Sequence, residues 1–212
     1  MGVDIHGAIE CRLWGKEPWA SGDREWSPAL GLYELRTGRG DQMSWDCLFG
    51  YSGAEMIVPL FDQRGLPDDV CEWVRTSAED GGGHSASYAT WAELDAVDLD
   101  RPCTVDGRPS YNQVEQWARQ PDGTLAFEGF VPLPGDAWDV AGELFGDDRD
   151  SPRDWPEGAE VAVGEHVYRP VVFTPRKLLF VDSAKWEPVF SVMRTLAGLH
   201  GDDHVRLVVY FC

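Results

Sequence analysis

Positive charge is scarce in this chain. Its 18 Lys and Arg face 37 Asp and Glu, a formal net charge of −19. Such a surface repels phosphate backbones and disfavours direct nucleic-acid binding through a basic face. It suits either plain solubility or an acidic protein that mimics the charge of DNA and occupies a nucleic-acid-binding partner. Cysteine patterns are also lacking: Cys11, Cys47, Cys71, Cys103 and Cys212 are odd in number, widely spaced and free of any CxxC pair. Neither a zinc knuckle nor a redox motif is supported, and reduced thiols in a cytoplasmic protein are expected. No apolar stretch approaches the length of a membrane span, and no basic segment followed by an apolar run opens the chain, so no membrane association is expected. A GxSxG elbow is absent, which removes the conventional hydrolase triad.

Apolar material, by contrast, is ample. Hydrophobic residues make up 43% of the 212 positions and include ten Trp, nine Phe and six Tyr, enough for a core without disulfide or metal staples. No repeat or linker divides the chain, so residues 1–212 are expected to form a single α+β domain.

The opening stretch from Val3 to Glu10 alternates, with Val3, Ile5 and Ile9 on one face and Asp4, His6 and Glu10 on the other, as a strand would place them. Val205 to Phe211 is a nearly continuous run of β-branched and aromatic residues, the pattern of a central strand. Trp186, Val189, Phe190, Met193, Leu196 and Ala197 trace a helical stripe over 186–199, with Pro188 in the first turn. A mixed or antiparallel sheet holding both terminal strands, with this helix and helices from the middle of the chain packed on it, follows. Pro67 or Asp68 starts one of those helices and Gly81 to Gly83 ends it. Thr90-Trp91-Ala92-Glu93 is a capping box. Residues 110–119 read as a further helix, Leu32 to Leu35 as a short strand, Trp19 as the start of a hairpin partner, and 136–157 as an acidic Gly/Pro/Trp-rich surface excursion.

Asp4 and His6, two apart on a strand, project from one face and can share a divalent metal, or the Asp can orient the His as a base. The alternative is a polar strand edge open to solvent. His84, after three glycines, suits a metal ligand, a general base or a phosphate contact on a mobile loop. Ser85 and Ser87 beside it suit anion binding, or nucleophilic attack if His84 activates one of them; capping of a turn is the plainer reading. Arg64 stands immediately before a helix start and suits anion recognition, although Asp68 or Asp69 can simply pair with it. Arg206 lies inside the last strand and needs a partner, for which Asp4 across the sheet is one choice. Tyr33, Trp45 and Tyr51 either line a pocket or cover the core.

Met1-Gly2-Val3-Asp4-Ile5-His6, Arg64-Gly65-Leu66-Pro67-Asp68-Asp69, His84-Ser85-Ala86-Ser87-Tyr88 with Thr90 and Glu93, and Val205-Arg206-Leu207-Val208 together resemble a group of small uncharacterised proteins of bacteriophages and some bacteria that open with MGCDIH. Val3 stands where that group has Cys. The resemblance implies a phage association and favours Asp4, His6, Arg64 and His84 as parts of one site. On this reading the protein is an enzyme or small-ligand-binding protein for an anionic, phosphate-containing substrate. Asp4, His6 and His84 would be its catalytic or metal-binding residues, Arg64, Ser85, Ser87 and Arg206 its substrate contacts, and metal-dependent hydrolysis its chemistry. The alternative is a non-catalytic acidic protein that binds a protein partner.

Overall fold

A computed structural model describes residues 4–12, 25–35, 42–50, 57–146, 151–181 and 185–212. In chain order the elements are β1 (Ile5–Cys11), β2 (Ser27–Gly31), α1 (Leu32–Leu35), α2 (Gln42–Phe49), α3 (Glu72–Asp80), β3 (His84–Thr90), α4 (Trp91–Asp95), β4 (Gln113–Arg119), β5 (Leu125–Pro132), α5 (Gly135–Phe145), β6 (Val161–Val163), β7 (His166–Pro170), α6 (Glu187–His200) and β8 (Val205–Phe211). Helices and two antiparallel sheets make this an α+β fold. The chain divides into two compact units, Met1–Leu99 with Ser183–Cys212, and Asp100–Asp182.

In the first unit the sheet order is β2-β1-β8-β3, so both terminal strands lie in one sheet, with β8 central. Every residue of β8 is buried, as its apolar run requires. Register then dictates which side chains share a face, because residues directly opposite each other project the same way. Ala8 pairs with Val208 and His6 with Tyr210 on one face, while Ile5 pairs with Phe211 and Ile9 with Leu207 on the other. The first face is covered by α3 through Val74 and Ala78, with Val70 and Cys71 just before it. On the second face Trp45 of α2 meets Phe211 at 5.6 Å between ring centroids, and α6 packs on β1 and β8. Its stripe of Val189, Phe190, Met193 and Ala197 is buried. Gly7 makes the close pairing possible: it sits at φ +137°, and a Cβ there would lie 1.9 Å from the Val208 carbonyl oxygen.

Local chemistry explains the helix starts. Thr90 caps α4 by accepting from the Glu93 backbone N–H at 3.2 Å, while the Glu93 carboxylate accepts from the Thr90 N–H at 2.9 Å. The helix expected from Pro67 or Asp68 begins later, at Glu72. Pro67 instead closes a turn, its carbonyl accepting from Val70 N–H at 3.0 Å, and Asp69 turns its side chain to the sheet.

In the second unit the order is β5-β4-β7-β6. Residues 110–119 supply strand β4 rather than a helix, because Val114, paired between β5 and β7, is fully buried and sheet pairing overrides the helical preference of the neighbouring Gln, Glu and Ala. Leu32 to Leu35 is likewise a helical turn and not a strand. The expected excursion at 136–157 is corrected as well: α5 occupies its first half and buries Ala137 and Ala141 against Val114, Val161 and Tyr168. Trp155 joins the same cluster. Small residues at i and i+4 give this acidic helix a narrow apolar seam. Trp19 and Tyr51 lie outside the described residues.

Candidate functional site

Asp4, His6, His84 and Ser85 come to the same end of the first sheet. Asp4 exchanges backbone hydrogen bonds with Cys212 at 3.1 and 3.3 Å, His6 pairs with Tyr210, and His84 pairs with Phe211 from the other side. The faces differ, however. The His6 ring stacks on Tyr210 at 5.7 Å and 19°, whereas the His84 ring meets Phe211 at 6.5 Å. Tyr210 and Phe211 are successive residues of one strand and point oppositely. With β8 between β1 and β3, the two histidine backbones stand about 10 Å apart, two strand spacings. Among the described residues no three of His, Cys, Asp and Glu gather to hold a metal. The expected metal set of Asp4, His6 and His84 is therefore not assembled by this fold.

The His84–Ser85 pair starts β3 rather than forming a turn. His84 Nδ1 lies 3.1 Å from Ser85 Oγ, and Ser85 has φ +48°, left-handed backbone that serine rarely adopts. The strand register shifts between His84 and Ser87, and the extra residue of a bulge accounts for the twist. Gly83 fits beneath this point because a Cβ on it would meet the Tyr210 ring at 2.7 Å and the Ala78 carbonyl oxygen at 2.9 Å. Ser87 is different. It is fully buried, donates to the Phe61 carbonyl at 2.7 Å and accepts from the Arg64 N–H at 3.3 Å. Its hydroxyl ties the 61–64 loop to the outer edge of β3 and is not available to substrate.

Neither arginine expected to read an anion points to this end. Arg64 pairs with Glu93 at 2.8 Å and lies over the Phe61 and Tyr88 rings at 5.1 and 5.5 Å. Burial raises the Glu93 carboxyl, but the Thr90 N–H and Arg64 outweigh it and hold its pKa below the ordinary value. Arg206 stands at the opposite end of β8, about 17 Å from Phe211 at the rise of a strand. Its partner is not Asp4.

Around Arg206 lies a largely buried polar cluster. Arg206 Nε donates to Glu10 at 2.7 Å, one terminal nitrogen donates to the Asp69 carboxylate at 2.7 Å and the other to the Asp69 carbonyl at 3.1 Å. Glu10 and Arg206 face each other across β1 and β8, with side chains 0% and 5% exposed. The second Glu10 oxygen accepts from the Cys71 N–H at 2.9 Å. Asp69 also accepts from Arg12 at 2.6 Å and from the Trp26 indole N–H at 2.9 Å. The Trp26 ring lies 3.9 Å from the Arg206 guanidinium and 4.7 Å from that of Arg12. Burial raises the Asp69 carboxyl, yet the bond and charge of Arg206, with Trp26 and Arg12, prevail and lower its pKa. Burial, followed by the nearby Glu10, pushes the Cys11 and Cys71 thiols up to about 11, so neither is a nucleophile at neutral pH.

Beside this cluster opens a cavity of about 680 Å³ lined by Arg12, Glu25, Trp26, Asp69, Cys71 and Glu72 with Val70. Glu25 and Glu72 are exposed, and among the described residues neither has an ion pair. With Arg12 and Arg206 already held by Asp69 and Glu10, the described residues at the mouth carry more negative than positive charge. The chain matches no family model, no curated protein and no solved structure.

Proposed function

We propose that this chain is a non-catalytic binding protein whose carboxylates engage a positively charged protein partner. One observation carries the reading: Arg64, Arg12 and Arg206 are each held by a carboxylate of the chain at 2.6–2.8 Å, while the cavity beside two of them is lined by Glu25 and Glu72, neither of which has an ion pair among the described residues. These three positive groups are paired within the chain, which as a whole carries a net charge of −19. Complementary charge of this size speeds encounter with basic partners and excludes acidic ones. A reduced, cytoplasmic setting belongs to the same proposal and is supported by five free cysteines. Among the described residues no helix is long and apolar enough to cross a membrane.

Fluorescence anisotropy of labelled nona-arginine and nona-glutamate peptides tests the reading. The arginine peptide is expected to bind, with affinity falling steeply between about 50 and 200 mM salt as screening shortens, and the glutamate peptide to remain free. Absence of arginine-peptide binding sinks the proposal.

A second reading, hydrolysis through Ser85, is supported by its 3.1 Å approach to His84 Nδ1 and by its strained backbone. A serine so placed is open to activation by the imidazole. Covalent labelling by a fluorophosphonate, lost in Ser85→Ala, would favour it; an unlabelled protein would end it.

A further inference from the structure

We infer that the partner docks on the outward face of α3, with Trp73 as the anchor for an arginine or lysine side chain and the neighbouring cavity receiving a second one. This rests on the binding reading above and assigns it a place. Helix α3 buries Val74 and Ala78 against the sheet and turns Trp73 the other way. Trp73 is 51% exposed, and of the described tryptophans it alone is exposed. Among the described residues its ring meets no other ring and no cation. An indole exposed to this degree is an interface signature, since tryptophan is enriched among the few residues that dominate binding energy.

Charge complementarity identifies the occupant. Glu72 precedes Trp73, and Asp80 lies seven residues on, two turns along the same stripe of the helix. Asp69, Glu72 and Glu25 line the adjoining cavity. An exposed indole with Glu72 beside it in the chain and Asp80 further along its stripe suits a guanidinium or ammonium, which the ring quadrupole and the carboxylates both attract. Arg75, the one basic residue of α3, is bonded to the Asp68 carbonyl at 2.8 Å. The chain already uses this chemistry within itself: Arg206 lies 3.9 Å over Trp26 while bonding Asp69 at 2.7 Å. At Trp73 the indole is exposed near carboxylates, and among the described residues no cation lies over it. The fitting occupant is therefore a basic segment of a protein partner carrying at least two arginines or lysines.

The test uses the full chain and the labelled nona-arginine peptide. Trp73→Ala and the double variant Glu25→Gln/Glu72→Gln change exposed side chains and leave the core intact. Asp139→Asn/Glu143→Gln, on the exposed side of α5, removes the same amount of charge elsewhere. Each of the first two variants is expected to weaken binding about tenfold, the scale of one lost anchor, and the α5 variant by less than about twofold. Equal losses in the two double variants, or an unchanged Kd in Trp73→Ala, would overturn the docking site while the acidic-binding reading stands. No binding by the unaltered chain would overturn both.

Discussion

Arg206 and Glu10 allow the internal electrostatics to be tested with a defined asymmetry. The Glu10 side chain is 0% exposed and that of Arg206 5%, so each charge depends on its partner in place of water. In Arg206→Met the buried Glu10 carboxylate keeps only the Cys71 N–H, bonded at 2.9 Å. Removing one member of a buried pair costs about 3–5 kcal/mol. Glu10→Gln is milder, because Arg206 retains the Asp69 carboxylate at 2.7 Å and its carbonyl at 3.1 Å. Loss of one charged hydrogen bond there is on the order of 1.5–3 kcal/mol. Combining the two changes leaves no uncompensated carboxylate, so the double variant should be no less stable than Arg206→Met alone, with a coupling of about 1–3 kcal/mol. Urea melts of each protein, read by hydrogen exchange in peptides from β1 and β8, isolate the first unit from the second. At a slope of about 2 kcal/mol/M, Arg206→Met should lower the midpoint by roughly 1.5–2.5 M. A loss below about 1 kcal/mol in Arg206→Met, or strictly additive losses in the double variant, would refute the argument that this pair is held out of water.

Three further outcomes are expected. Gly7→Ala should cost about 3 kcal/mol or more, since its Cβ would lie 1.9 Å from the Val208 carbonyl oxygen at φ +137°; chemical denaturation of the variant measures it. The Asp69 carboxyl is held below its ordinary value of 3.8; its contribution is thus full above that pH and lost as pH falls through the lower folded value. The gap in urea midpoint between the unaltered chain and Asp69→Asn should accordingly narrow below about pH 4, and a gap constant down to pH 2 would contradict the assignment. Cys212 is exposed and the other four thiols buried, so a thiol reagent at pH 8 should titrate one group in the native protein and all five in denaturant.

The sheet of the first unit is legible in the sequence because its signals are long and consistent. A nearly continuous apolar run at Val205 to Phe211, interrupted only by Arg206, reads as a central strand, and the stripe from Trp186 to Ala197 reads as its covering helix. The Thr90–Glu93 capping box holds because both its bonds are local. Element type goes astray where tertiary pairing decides it. Gln113 to Arg119 carries good helix formers, yet Val114 is buried between two strands. In the acidic segment after Pro134, Ala137 and Ala141 are buried with Trp138, Val140 and Phe145 packed beside them, and Asp and Gly interleaved with these residues disguise the stripe.

The site turns on register. That Arg206 needs an acidic partner follows from its place in an apolar strand, but Asp4 and Glu10 both lie on the polar face of β1 and period alone does not choose between them. Antiparallel pairing of Ile5 with Phe211 does choose, since it sets Glu10 opposite Arg206 and Asp4 beyond Tyr210. The same register sends His6 and His84 to opposite faces. Nothing local in the sequence states it: Trp26 and Asp69 join Arg206 from segments 43 residues apart, and their convergence is a property of the fold.

An excess of carboxylates does not by itself specify a binding face, since 37 acids against 18 bases leave many unpaired wherever they fall. Position is specified by what accompanies them. At Glu93 and Glu10 an arginine and a covered aromatic close the arrangement, and it supports the fold. At α3 the aromatic is uncovered: Arg75 of the same helix donates to the Asp68 carbonyl at 2.8 Å, and among the described residues no cation lies over the Trp73 ring. Trp73, at 51% exposure, adds little to the helix's buried face, which Val74 and Ala78 supply. A tryptophan exposed beside Glu72, on a helix packed against the central sheet, suits a cation that comes from another molecule.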